Sequence, residues 1–289
     1  MSTTADITGL LVAWLGRQVG DEPMSWLDGQ RERVAAGESE RAYFTAFSGA
    51  IRRFPKADLT LSAGDLASAR AARPGWDPSD WTCDQAARTT LTLALPSADA
   101  EAWRSTLDKV YETADVGEGV ALYRALPLLP HPERLRARAA EGIRTNIRAV
   151  FESVAHRNPY PSEQLDEGAW NQMVLKALFV GSPLHPIVGI DARSNLALTR
   201  MLVDYAHERW AASRDVSPEL WRCVGASPDD AGMGDLARAL AGEDPREAAG
   251  AGLALAACPH PDAADLLAGH PALVARVESG QLTWEKVHE

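Results

Sequence analysis

One spacing governs this chain: apolar side chains return every three or four residues along most of its length. Tyr43, Phe44, Phe47, Ile51 and Phe54 form one such stripe, and Ile143, Ile147, Val150, Phe151 and Val154 another. The sharpest runs through Trp170, Met173, Val174, Ala177 and Leu178, and a fourth through Leu198, Met201, Leu202 and Tyr205. A 3.6-residue period puts such positions on one face of a helix, whereas a half-buried strand needs alternation. The segment Thr89–Leu95 has a strand-like composition, but it continues a helical stretch from Asp80 and is read as helix ending before Pro96. The predicted class is therefore all-α. Helix starts are expected at Asp21 with Pro23, Ser162 with Pro161, and Ser217 with Pro218, where a polar side chain caps free N–H groups and proline lacks one.

Two short segments resemble each other, Leu126–Pro132 (LPLLPHP) and Leu253–Pro261 (LALAACPHP). Each follows an Ala/Leu-rich helical pattern and precedes another. Helical hairpins stacked as a HEAT-like α-solenoid, each pair burying its face on the next, are the expected architecture. The chain is expected to form a single all-α unit over 1–289, with a Trp-rich body over 1–225 and a lighter helical-repeat extension over 226–289. Of the 9 Trp, only Trp284 lies in that extension. Most fall on apolar stripes and are expected in the core, while Trp76 and Trp81 flank a Pro/Asp turn and are candidates for lining a groove.

Composition removes several classes of function. With 29 Lys+Arg against 40 Asp+Glu the net charge is −11. A nucleic-acid-binding body needs clustered cations, so no nucleic-acid partner is expected. No window holds enough uncharged apolar residues for a transmembrane helix, and Asp6 precedes the first apolar stretch where a secretory signal would carry basic residues. Three scattered cysteines, Cys83, Cys223 and Cys258, form no C-x-x-C pair and read as packed thiols of a reducing compartment. The expectation is a cytoplasmic protein that is not integral to a membrane.

Catalytic motifs are missing. There is no G-x-G-x-x-G, no G-x-x-x-x-G-K-[ST] and no G-x-S-x-G. His207-Glu208 begins like H-E-x-x-H, but Ala211 stands where the second histidine belongs. Asp229-Asp230 reads as a helix cap. Neither a metal nor a cofactor is expected. Four of the seven histidines, His131, His185, His260 and His270, precede proline and so belong to turns.

The stretch 146–225 is different. Its polar side chains are varied, and such groups cost free energy if buried unpaired, so they imply a ligand site or a polar network that fixes loop geometry. The candidate ligand-binding residues are Asn158, Tyr160, Gln172, Lys176, His185, Asp191, Arg193, Asp204 and His207. If the helices bearing them face each other across a groove, Lys176, His185, Asp204 and His207 converge on an anionic or hydroxyl-rich ligand. The alternative is ordinary surface ion pairing on isolated faces.

The run KALFVGSPLHPIVGIDARSN, followed by MLVDYAHERWAASRDVSPELWR, resembles the EboA family. AFSGAIRRFPKADLTL, PGWDPSDWTCDQAAR and RNPYP support the likeness, which covers roughly residues 10–225. The resemblance implies a place in an operon whose other members resemble a prenyltransferase, a sugar-phosphate cyclase, a metal hydrolase and a sugar isomerase. It also implies a role in making or moving a small metabolite, and it brings no catalytic residues with it. The expected function is a non-catalytic accessory or metabolite-binding protein of an Ebo-type pathway for a prenylated or polyol secondary metabolite. Its expected partners are the prenyltransferase-like and sugar-phosphate-cyclase-like neighbours and a small polyol or phosphorylated metabolite. The alternative is an enzyme of the same pathway, with His207 and Asp204 as acid–base pair and Lys176 as anchor.

Overall fold

The structure is a computed structural model that describes residues 4–288. Among the described residues it holds 17 α-helices and no strands, with 66% of the chain helical. The all-α class is thereby established, and solenoid-like stacking is not. The chain divides into two compact units, 1–165 and 166–289. The split does not fall at 225, where the sequence pattern changes from body to extension.

The first unit contains α1 (Thr4–Gly16), α2 (Asp21–Ala35), α3 (Glu40–Gly49), α4 (Ala63–Ala72) and α5 (Cys83–Leu93). It continues through α6 (Ala100–Thr113), α7 (Val116–Ala125), α8 (Arg136–Arg144), α9 (Arg148–Ala155) and the short α10 (Tyr160–Gln164). Helices α1, α2, α3 and α7 all pack on α5, so this unit is organised around one central helix. Every residue of α5 except Gln85 is buried. Its sequence explains how a helix so rich in polar residues tolerates that position. Ala86 and Ala87 let neighbours approach. Thr90 and Thr92 turn their hydroxyls back to the carbonyls of Ala87 and Arg88 at 2.7 and 2.9 Å. Thr89–Leu93 is helical, as the pattern predicts.

Trp76 and Trp81 do not line a groove. Both are buried, and Trp14, Trp76 and Trp81 form a continuous aromatic run with centroids 5.7 and 5.8 Å apart. Indole area is better spent against other rings than in water, which draws the Pro/Asp turn inward. Residues 55–59 are tied to the start of α5 by Cys83 N–H to Ala57 O (2.9 Å) and Leu59 N–H to Trp81 O (2.7 Å).

The second unit contains α11 (Glu167–Phe179), α12 (Leu196–Ala211), α13 (Leu220–Ala226), α14 (Asp230–Leu240), α15 (Pro245–Ala256), α16 (Ala263–Ala268) and α17 (Pro271–Glu278). Helices α13, α14, α16 and α17 pack against α15. A Cβ on Gly250 would lie 2.3 Å from the Pro218 carbonyl oxygen, so glycine here is what permits the approach. The apolar loop between α11 and α12 folds inward, burying Leu184, Ile187 and Ile190. Asp229 caps α14 by accepting from Gly232 N–H at 2.9 Å, as expected of the Asp229-Asp230 pair.

All three cysteines are free thiols; Cys83 and Cys223 are buried and Cys258 half-buried. Burial pushes the Cys223 thiol up to about 12. No described helix is long and apolar enough to cross a membrane.

Candidate functional site

The nine candidate residues do not gather in one place. Asn158 and Tyr160 belong to the first unit and hold up a turn. The Asn158 amide donates to the carbonyls of Tyr123 (3.0 Å) and Ser153 (3.1 Å), and its oxygen accepts from Tyr160 N–H (3.0 Å). The buried Tyr160 hydroxyl donates to Pro132 O, and burial raises its pKa.

In the second unit, His185 is joined not to Lys176 or His207 but to Glu219. That carboxylate is only 1% exposed. It accepts from the backbone N–H groups of Leu184 (2.7 Å) and His185 (2.8 Å) and pairs with His185 Nδ1 (2.9 Å). His288 Nε2 approaches it at 3.4 Å. Asp191 pairs bidentately with Arg222, both contacts 2.6 Å, and the Arg193 guanidinium lies over Trp170 at 4.8 Å. Gln172 and Asp204 are exposed. Lys176 is half-buried, and desolvation lowers its pKa. His207 Nε2 sits 2.7 Å from Asp235 on α14, so its carboxylate partner is not Asp204. The Asn171 and Asn195 amides bond each other at 3.2 and 2.9 Å. Most of this polar variety ties loops to helices.

A different set converges in the first unit. A cleft of about 500 Å³ opens between α5, α7 and α9 and the segments that lead into α5. Lys56, Asp80, Asp84, Gln85, Arg124 and Arg157 supply its charged and polar lining, with Glu152 and His156 on α9 and just beyond it. Arg124 is the fixed centre. Its Nη1 donates to Asp80 O and Gln85 Oε1, both at 2.6 Å, and its Nη2 to the Asp80 carboxylate at 2.6 Å. Burial lowers its pKa, partly offset by the charge of Asp80. Asp84 forms a buried ion pair with Arg88 and accepts from the Thr82 hydroxyl at 2.6 Å. Arg88 also reaches Phe47 O at 3.2 Å, so this pair ties the cleft floor into the core. Glu152 pairs with Arg148 one turn earlier at 2.7 Å.

Arg157 is held in an unusual conformation. Its φ is +50°, in the left-handed region that a branched or long side chain seldom occupies. Its carbonyl accepts from Asp77 N–H at 3.3 Å, and Asn158 fixes the following turn. The guanidinium stands 3.9 Å from Asp77 and 3.7 Å from Asp80, beyond hydrogen-bond length.

Lys56, Asp80, Thr82, Asp84, Gln85 and Arg157 all lie in the three shorter stretches that carried the family likeness: AFSGAIRRFPKADLTL, PGWDPSDWTCDQAAR and RNPYP. They were legible as members of those stretches but not as a site, because only the fold brings the three together. Arg124 and Glu152 sit in plain helical patterns with no signal of their own. Glu219 was hidden in what reads as a Ser-Pro helix start.

Fold and cleft together define an all-α protein with a polar, charge-lined pocket of small-molecule size. Among the described residues it has no group of three or more His, Cys, Asp or Glu side chains able to hold a metal ion. A family model described as "Metabolite traffic protein EboA" matches residues 7–225, and the chain belongs to that family. No curated protein and no solved structure matches it. The family description fits an accessory role without catalysis.

Proposed function

We propose that the protein binds a small polar metabolite in the cleft of its first unit and serves, without catalysis, as an accessory of a pathway that makes or moves that metabolite. The observation that carries this reading is the convergence of Lys56, Asp80, Gln85, Arg124 and Arg157 on one cavity in a chain whose family is described by metabolite traffic. A volume of about 500 Å³ lies inside the ~300–1,000 Å³ range of small-molecule pockets. The lining mixes donors and acceptors of both charges, which suits a hydroxylated ligand better than an apolar one. A cytoplasmic setting and the prenyltransferase-like and cyclase-like neighbours as partners extend the proposal. The acid–base alternative gains nothing from the geometry, since His207 turns to Asp235 and Asp204 faces solvent.

Native mass spectrometry of the full chain with a panel of polyols and their phosphates tests this. The expected result is a one-to-one complex from which the ligand is recovered unchanged. Conversion to a product overturns the non-catalytic role. Failure of every member to bind, or binding that survives Gln85→Ala and Arg124→Gln undiminished, overturns the cleft as the site.

A further inference from the structure

The cleft's charges are unevenly committed. Two of its carboxylates have their cations supplied from outside the lining: Asp84 by Arg88 and Glu152 by Arg148. Arg124 is consumed by Asp80 and Gln85. What remains is Arg157, whose nearest carboxylates are 3.7 and 3.9 Å away, and Lys56. Lys56 is exposed and, among the described residues, has no carboxylate as an ion-pair partner. Both cations line the same cavity in a chain of net charge −11. The lining itself is balanced, with Lys56, Arg124 and Arg157 against Asp80, Asp84 and Glu152. Among the described residues, however, Lys56 and Arg157 have no carboxylate at hydrogen-bond distance, and cations with unfilled donors in an otherwise acidic protein mark where an anion fits.

We propose that the ligand is a phosphorylated polyol, its phosphate held by Arg157 and Lys56 and its hydroxyls by Asp80 and Gln85. This rests on the cleft being the binding site. An Arg fork with no carboxylate at hydrogen-bond distance matches phosphate oxygens two at a time, and an ammonium adds a point charge beside it. The left-handed backbone at Arg157, fixed on one side by Asp77 N–H and on the other by Asn158, sets the fork before the ligand arrives. Asp80 is already oriented by Arg124 and keeps acceptor capacity for a hydroxyl donor, while the Gln85 oxygen is filled by Arg124 and Thr82 N–H and leaves its NH2 to donate to a hydroxyl oxygen.

Calorimetric titration of the full chain with glucose 6-phosphate, glucose and gluconate separates phosphate from carboxylate and from a neutral polyol. The phosphate is expected to bind about tenfold or more tightly than glucose, with gluconate between them. Arg157→Gln and Lys56→Gln are each expected to weaken the phosphate about tenfold and leave glucose unchanged. Arg200→Gln, in the second unit, serves as the control and changes neither. Equal affinity for all three probes, or a phosphate preference that survives both cleft variants, overturns the phosphate assignment and leaves the cleft standing. Binding of no probe overturns the cleft and this assignment together. Circular dichroism confirms that each variant, at an exposed or partly exposed side chain, remains folded.

Discussion

The two units use polar side chains in opposite ways. In the second, a carboxylate such as Glu219 is sealed among backbone N–H groups and histidines, and Asp191 is spent on Arg222. In the first, the ion pairs at Asp84 and Glu152 are completed from outside the cavity, and two cations inside it keep unused hydrogen-bonding capacity. Chemical variety along the sequence therefore does not by itself bring residues into one cavity. The proposed cleft is marked instead by polar capacity left over once the fold has been satisfied.

The contrast can be broken at several points. The largest effect is expected from ending the chain after Gly225, where the family match stops. Helix α13 packs on α15, so the cut strips its cover, and amides in α12 and α13 should lose hydrogen-exchange protection altogether. Persistent protection there would show that the second unit needs nothing beyond 225. Arg88→Met leaves Asp84 buried without a counter-charge, at a cost of about 3–5 kcal/mol. Denaturant unfolding followed by hydrogen exchange should show that loss in 1–165 and not in 166–289.

Gly250→Ala places a methyl against the fixed Pro218 backbone and should cost the second unit about 1–3 kcal/mol. Gly252→Ala meets only the end of the Leu273 side chain, which can move, and should cost less. Asn158→Ala takes the amide donor from the Ser153 carbonyl and the acceptor from Tyr160 N–H, while the Tyr123 carbonyl keeps Leu126 N–H, at a cost of about 1–3 kcal/mol. It should also weaken ligand binding, because Arg157 loses its neighbouring brace. Unchanged affinity in a folded Asn158→Ala protein would remove that turn from the site.

The smallest effect concerns Glu247. Desolvation raises its pKa above the usual carboxylate value of 4.5, although Trp210 Nε1–H donates to it at 3.1 Å. A raised pKa means that the folded state binds the proton more tightly than the unfolded one. Stability from this group is therefore present at low pH and lost as pH rises from about 4.5 through the folded value. Glu247→Gln keeps an acceptor for Trp210 and should raise the melting temperature at neutral pH while flattening the dependence in that window. A thermal melt at pH 4 and at pH 7.5 reads both.

Much of the fold was legible because the periodicity is strong. The stripe from Trp170 to Leu178 became α11, and the Asp229 cap and the helix through Thr89–Leu93 followed from local rules. Trp76 and Trp81 were misread because a Pro/Asp turn suggests surface, while the packing of Trp76 against both Trp14 and Trp81 outweighs that tendency. The site was less legible. His207 and Asp204 share a helix face, yet the nearer carboxylate belongs to α14, a relation no spacing encodes. Lys56 and Arg157 are far apart in the sequence and line one cavity only once the chain has folded.

The braced turn at Arg157 has a kinetic consequence. Its backbone angle and its neighbours are settled by Asp77 and Asn158 before any ligand arrives, so recognition needs no loop to fold and no slow rearrangement to precede capture. Entry should then run at a rate set by encounter and by salt, and ligands differing in affinity should differ in how long they stay rather than in how fast they arrive. In a family described by metabolite traffic, the residence time of a ligand in the proposed cleft is then the quantity to measure.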